Sequence, residues 1–149
     1  MKNNLFYCNE CLGYFEIFEH KMVCPACKKE ILIDQGIPLF SPNLYWGKIP
    51  EQELQSITKN IETGGFETFT KELQKKLDFT YDEDRADWRF YIPLTKDSVV
   101  LDIGAGLGRI SVPLARVSGH VIACDQSHAR MAFLKQRAKA LELSNINVS

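Results

Sequence analysis

Apolar residues recur along this chain at two spacings. Near the carboxyl end, Val99-Val100-Leu101 and Val121-Ile122-Ala123 are short unbroken apolar runs, each leading into an acid, Asp102 and Asp125. Runs of that length and β-branched character predict strands of a parallel sheet, which are buried on both faces. Between them Ile110, Leu114 and Val117 mark a helical stripe. Beyond them Met131, Leu134, Ala138 and Leu141 mark a second, with Lys135, Lys139 and Glu142 turned away and Ser127 placed to cap it. Pro113 falls inside the first of these helices, where an interior proline costs about 3 kcal/mol, so a kink is expected there. Ser144–Ser149 reads as a turn and the start of a third strand. The last third of the chain is therefore the opening of a βαβ array.

Upstream, Leu54, Ile57 and Ile61 predict a helix from Glu51 to about Glu62, ended by Gly64-Gly65. Phe66, Phe69, Leu73 and Leu77 predict another, with Lys71, Lys75 and Lys76 on its outer side. Ser41-Pro42-Asn43 and the Gly47 to Pro50 stretch read as linker. In the acidic and aromatic run from Asp82 to Tyr91, the aromatics are expected to pack a helix onto the sheet.

The turn after the first strand narrows the chemistry. A dinucleotide fingerprint, Gly-x-Gly-x-x-Gly, would require glycine where this chain has Arg109. Instead Asp102-Ile103-Gly104-Ala105-Gly106-Leu107-Gly108 places glycines at every second position behind an acid. About 20 residues further on, Asp125 ends the second strand, where a carboxylate can accept from both hydroxyls of a ribose. This segment resembles the first motif of class I S-adenosylmethionine-dependent methyltransferases, and Asp125-Gln126-Ser127 through Met131 resembles the second. The resemblance implies that Asp102, Gly104, Ala105, Gly106 and Gly108 surround the methionine end of the cofactor. It likewise implies that Asp125 holds the ribose and Gln126 lies beside the adenine. In such folds a helix before the core often crosses the cofactor, which would bring Trp88 or Tyr91 near it. The family core has seven strands and this chain holds about two and a half of them, so no catalytic base is assigned.

The amino-terminal cysteines form a separate signal. Cys8-x-x-Cys11 and Cys24-x-x-Cys27, twelve residues apart, have the spacing of a four-thiolate zinc ribbon. Each pair presents two sulfurs from one tight knuckle, with Gly13 and Pro25 expected to supply the turn chemistry. A tetrathiolate zinc carries a net charge of about −2, which Lys21, Lys28 and Lys29 can offset. With four protein ligands the metal is expected to be structural. The same cysteines would form two disulfides in a secreted mini-domain, but the absence of a signal peptide weighs against that. The Gly36-Ile37-Pro38 tail resembles that of short zinc-ribbon proteins that partner methyltransferases, and of ribbons fused in front of them.

Composition sets outer bounds. With 45% hydrophobic and 25% charged residues the chain has enough apolar content to build cores. A net charge of −1 does not support nucleic-acid binding, which usually shows as a basic face. No apolar run is long enough to span a membrane, and reduced cysteines without a targeting segment point to the cytoplasm. Cys124, inside the second strand, is expected to be a buried apolar residue, and His20 and His128 to be surface histidines.

The expected architecture is α/β: a zinc ribbon at 1–41, a helical connector at 42–84, and the front part of a Rossmann-like methyltransferase core at 85–149. The implied function is methyl transfer from S-adenosylmethionine to a small-molecule or macromolecular acceptor. The alternative is a non-catalytic ribbon module that binds protein or RNA and carries a degenerate cofactor domain.

Overall fold

A computed structural model describes residues 6–64 and 83–149, which divide into two compact units, one ending at Pro42 and the other beginning at Asn43. The expected helix carrying Phe66, Phe69, Leu73 and Leu77 lies outside the described residues.

The first unit is an antiparallel sheet of four short strands in sequence order: β1 (Glu16–Ile17), β2 (Lys21–Val23), β3 (Glu30–Asp34) and β4 (Ile37–Pro38). Register follows from which side chains bury. Buried Met22 pairs with buried Ile31, while Leu32, one residue along, faces solvent opposite Lys21; Ile17, on the outer strand, pairs with Met22 but is exposed. Phe15, Met22 and Ile31 close around Cys8 and Cys24, so half of the sulfur cluster belongs to the core of this unit while Cys11 and Cys27 are exposed. The β3–β4 hairpin turns on Gln35 and Gly36, both with positive φ (49° and 71°), the backbone of a two-residue type I′ turn. The Gly36-Ile37-Pro38 tail is therefore a hairpin turn with its returning strand.

The second unit begins with a non-helical strap over residues 43–49. It continues through α1 (Glu51–Gly64), a 3-10 helix (Glu83–Tyr91), β5 (Val99–Ile103), α2 (Ser111–Val117), β6 (His120–Cys124), α3 (His128–Ala140) and β7 (Ile146–Val148). The strands are parallel in the order β5-β6-β7, with Val100 opposite Val121 and Asp102 opposite Ala123. One face of the sheet is covered, where Val100, Val121 and Ile146 pack with Leu114 and Ala115 of α2. On β5 the alternate residues Val99, Leu101 and Ile103 are exposed, and that strand is the outer edge of the described sheet. This β-α-β-α-β arrangement of parallel strands is Rossmann-like.

The helices depart from their periodicity in ways that packing explains. α3 buries Met131, Leu134 and Ala138 as expected, but Ala129 and Phe133 are buried as well, against Leu54 and Ile61 of α1. A helix held from two sides has no single apolar stripe to read. Leu141, expected on the stripe, caps the helix and is partly exposed. Ser127 does cap α3, accepting from the backbone N–H of Arg130 at 3.3 Å. Pro113 produces no interior break, because α2 starts only at Ser111 and the proline falls in its first turn, where backbone N–H groups lack intrahelical partners anyway.

The aromatic run also differs from expectation. Residues 83–91 form a 3-10 helix, whose three-residue period stacks Glu83, Ala86 and Arg89 on one side. Ala86 is buried, Arg89 donates to the Glu83 carbonyl, and Glu83 receives Arg116 of α2 at 2.6 and 2.7 Å. Trp88, Phe90 and Tyr91 fall off that face and are exposed, so they do not pack a helix onto the sheet. None of the described helices is long and apolar enough to cross a membrane.

Candidate functional site

The amino-terminal unit gathers its four cysteines. The ligand sulfurs of Cys8, Cys11, Cys24 and Cys27 all lie within 4.8 Å of one another, and no disulfide joins them. Cys8 Sγ is 3.4 Å from Cys27 Sγ, and Cys11 Sγ is 3.2 Å from Cys24 Sγ, so the nearest neighbours come from opposite knuckles. A tetrahedral zinc with Zn–S near 2.3 Å places sulfurs about 3.8 Å apart, within the range found here.

Each knuckle repeats the other. The Cys8 carbonyl accepts from Leu12 N–H and the Cys24 carbonyl from Lys28 N–H, while Cys8 N–H donates to the Gly13 carbonyl and Cys24 N–H to that of Lys29. Leu12 and Lys28, each following the second cysteine of its pair, have left-handed backbone (φ 58° and 62°). The turn chemistry thus rests on these two residues rather than on Gly13 and Pro25. Gly13 instead lies against the cluster, where a Cβ would sit 3.5 Å from Cys11 Sγ.

The thiols pull one another in opposite directions. At Cys24 a hydrogen bond from the Cys27 N–H outweighs burial, and with further donors brings the thiol down to about 6. At Cys27 the Lys29 N–H works downward, yet the neighbouring thiols and burial together push it up to about 12. Lys29 meets Glu10 at 2.9 Å; that contact raises its pKa, with smaller contributions from Cys8 and Cys27. It is the convergence of four thiols, rather than their titration, that makes the donor set of a soft divalent cation.

In the second unit the glycine turn is held from beneath. Gly104 and Ala105 N–H both donate to the Cys124 carbonyl, Gly106 N–H donates to Asp125 Oδ2 at 3.0 Å, and Arg137 donates to the Leu107 carbonyl at 2.9 Å. Gly104, Gly106 and Gly108 all have positive φ (76°, 56° and 80°), a backbone that residues with a Cβ rarely adopt. Gly108 has a second reason to be glycine, since a Cβ there would come within 2.1 Å of Leu134. A Cβ on Gly104 would meet nothing within 4 Å, so the turn opens outward at that point.

A cavity of about 580 Å³, a size typical of small-molecule sites, lies against this turn. Gly104, Ala105, Gly106 and Leu107 form one wall, the strap residues Tyr45 to Ile49 another, and Lys48, Arg85, Arg109 and Arg130 contribute four cationic side chains. Of the residues singled out in the sequence, Gly104, Ala105 and Gly106 border the cavity. Asp102 and Gly108 do not; Asp102 takes a 2.5 Å hydrogen bond from Ser111 Oγ and so ties β5 to α2. Asp125 is also off the cavity surface. Its side chain is 4% exposed, with Oδ1 accepting from Ser127 N–H at 2.9 Å and Oδ2 from Gly106 N–H. Gln126 is exposed beside it and accepts from Leu44 N–H through its carbonyl. Trp88 and Tyr91 do not line the cavity, whereas Arg85 of the same segment does. Periodicity gave no sign of Trp46 or Arg130; the available signal was two aromatics, Tyr45 and Trp46, in a stretch otherwise composed like a linker.

No family model matches the chain. Over 82 residues it is 37% identical to ribosomal RNA small subunit methyltransferase G of Staphylococcus saprophyticus, covering 54% of this chain and 34% of that protein. Over 58 residues it is 36% identical to a probable ribosomal RNA small subunit methyltransferase A of Methanothermobacter thermautotrophicus, covering 39% and 20%. The matches thus span about a third and a fifth of these curated relatives. Among solved structures, an rRNA methylase from Streptococcus thermophilus is 26% identical with a TM-score of 0.41, over 44% of this chain and 39% of that one.

Proposed function

We propose that this chain, whose second unit carries the front part of a class I methyltransferase core, binds S-adenosylmethionine in the cavity beside Gly104–Leu107 and serves methyl transfer to RNA. The observation that carries the reading is the glycine turn itself. Two left-handed glycines, Gly104 and Gly106, are anchored to the Cys124 carbonyl and to Asp125 and present backbone to a cavity of ligand size, while left-handed Gly108 completes the turn against Leu134. When bound, the cofactor supplies an activated methyl group on a sulfonium. The chain's own residues bind and orient it, and alignment of donor and acceptor is the main requirement of such a displacement. Asp125, buried behind the cavity wall, fixes the turn by accepting from the Gly106 and Ser127 N–H groups. The cationic side chains along the cavity suit an anionic group such as the cofactor carboxylate. The names of both curated relatives support RNA as that acceptor.

For the first unit we propose one structural zinc on Cys8, Cys11, Cys24 and Cys27, supported by their convergence and by the matched knuckles. Calorimetric titration tests the cofactor reading. Binding of S-adenosylhomocysteine with little response to NADH is expected, and the reverse preference would overturn it.

A further inference from the structure

The strap over residues 43–49 is composed like a linker, yet it is fastened along its length to the turn that follows β6. His128 N–H donates to Asn43 Oδ1 at 3.0 Å, and Leu44 N–H to the Gln126 carbonyl at 3.2 Å. Arg130 donates to the Trp46 carbonyl, and its guanidinium lies 4.3 Å from the centre of the Trp46 ring and 5.7 Å from that of Tyr45. Tyr45 in turn donates to the Ile49 carbonyl. Gly47 makes room for this arrangement, because a Cβ there would stand 2.9 Å from the Arg130 guanidinium. Arg130 is itself largely buried, with its other nitrogen 3.9 Å from Asp125 Oδ2. One arginine therefore joins the strap to the acid that holds the glycine turn. The result is an unusual tryptophan: part of the cavity wall, stacked on a cation, and still 68% exposed.

An exposed indole of that size, held through Arg130 on a strap pinned at Asn43 and Leu44, has no core to fill. Resting on the cofactor reading above, we propose that Trp46 is a ligand-binding residue of this cleft, forming a stacking surface for the purine of the cofactor. Arg130 is its positioning residue. A guanidinium against the indole fixes the ring and restricts the strap, so part of the ordering that binding requires is already done.

The test uses the full chain carrying Trp88→Phe, which leaves Trp46 as its sole tryptophan. S-adenosylhomocysteine is the probe, with affinity read by calorimetry and Trp46 read by its emission. Saturation should change the emission. Trp46→Ala should weaken binding about tenfold, within the range for loss of a base-stacking aromatic, and Trp46→Phe should weaken it much less. Arg130→Ala should shift the emission to the red before any ligand is added and weaken binding, and Arg130→Lys should restore part of both. An emission unmoved at calorimetric saturation, or a Trp46→Ala affinity within twofold of the parent, overturns the assignment while leaving the cofactor reading intact. A parent chain that binds no S-adenosylhomocysteine overturns the cofactor reading and this assignment with it.

Discussion

The ribbon and the core each turn the chain sharply around a small site, with opposite choices of residue at the left-handed positions. In the ribbon those positions are Leu12 and Lys28; in the core they are Gly104, Gly106 and Gly108. A non-glycine residue in that conformation costs roughly 1–2 kcal/mol, so the ribbon carries local strain that the core avoids. The difference follows from what each turn must present. The knuckles aim side-chain sulfurs inward, and the strained residues sit outside with their side chains in solvent. The glycine turn presents backbone along the cavity, and at Gly108 a Cβ would strike Leu134. One turn is shaped to aim side chains inward, the other to do without them.

The largest test of that contrast is Cys24→Ser. With one ligand gone the first unit should lose its metal, drop from about one zinc per chain in elemental analysis, and lose its structure, since zinc contributes roughly 10–16 kcal/mol to the folding of such modules. Thermal unfolding of the second unit should be unchanged. Next is Gly108→Ala, which forces a left-handed alanine against Leu134 and should destabilise the second unit by about 2–5 kcal/mol in denaturant titration, combining backbone strain with overpacking. Asp125→Ala frees the glycine turn that borders the proposed cofactor cavity. It should weaken S-adenosylhomocysteine binding by roughly 1.5–3 kcal/mol, the range for hydrogen bonds to a charged group, and equal affinities would refute its role. Smallest is Lys28→Gly, where relief of strain opposes the added freedom of the unfolded chain, so stability should move by less than about 1 kcal/mol. A large loss there would mean that the Lys28 side chain, rather than its backbone, supports the knuckle.

What could be read in advance follows the same division. Cysteine spacing and the glycine turn are local patterns with one geometric meaning each, so the cluster and the tip of β5 were legible. The second buried face of α3 was not, because Phe133 meets Ile61 of a helix far away in sequence. The 3-10 form of residues 83–91 moved the aromatics outward through a change of period that an α-helical reading cannot anticipate. Pro113 was legible as a proline but not as a first-turn residue, since the boundary of α2 depends on where the glycine turn ends. The strap was hidden most completely. Asn43, Leu44 and Trp46 acquire their partners only when α3 brings Gln126, His128 and Arg130 alongside.

The repetition of the two knuckles also bears on how a metal would enter. Cys8–Cys11 and Cys24–Cys27 carry the same backbone hydrogen bonds and a left-handed residue at the same position, so each pair would form a comparable bidentate half-site around an arriving ion. Either can capture first, which gives two parallel loading routes. In both, the second step is closure of the same loop of twelve residues between Cys11 and Cys24, a short search that resolves in about 10–100 ns once the chain is free to move. Closure is then far faster than delivery at any cellular zinc concentration. The rate of maturation would be set by encounter with the metal, and a defect in one knuckle would lower occupancy through escape of the ion before it slowed capture.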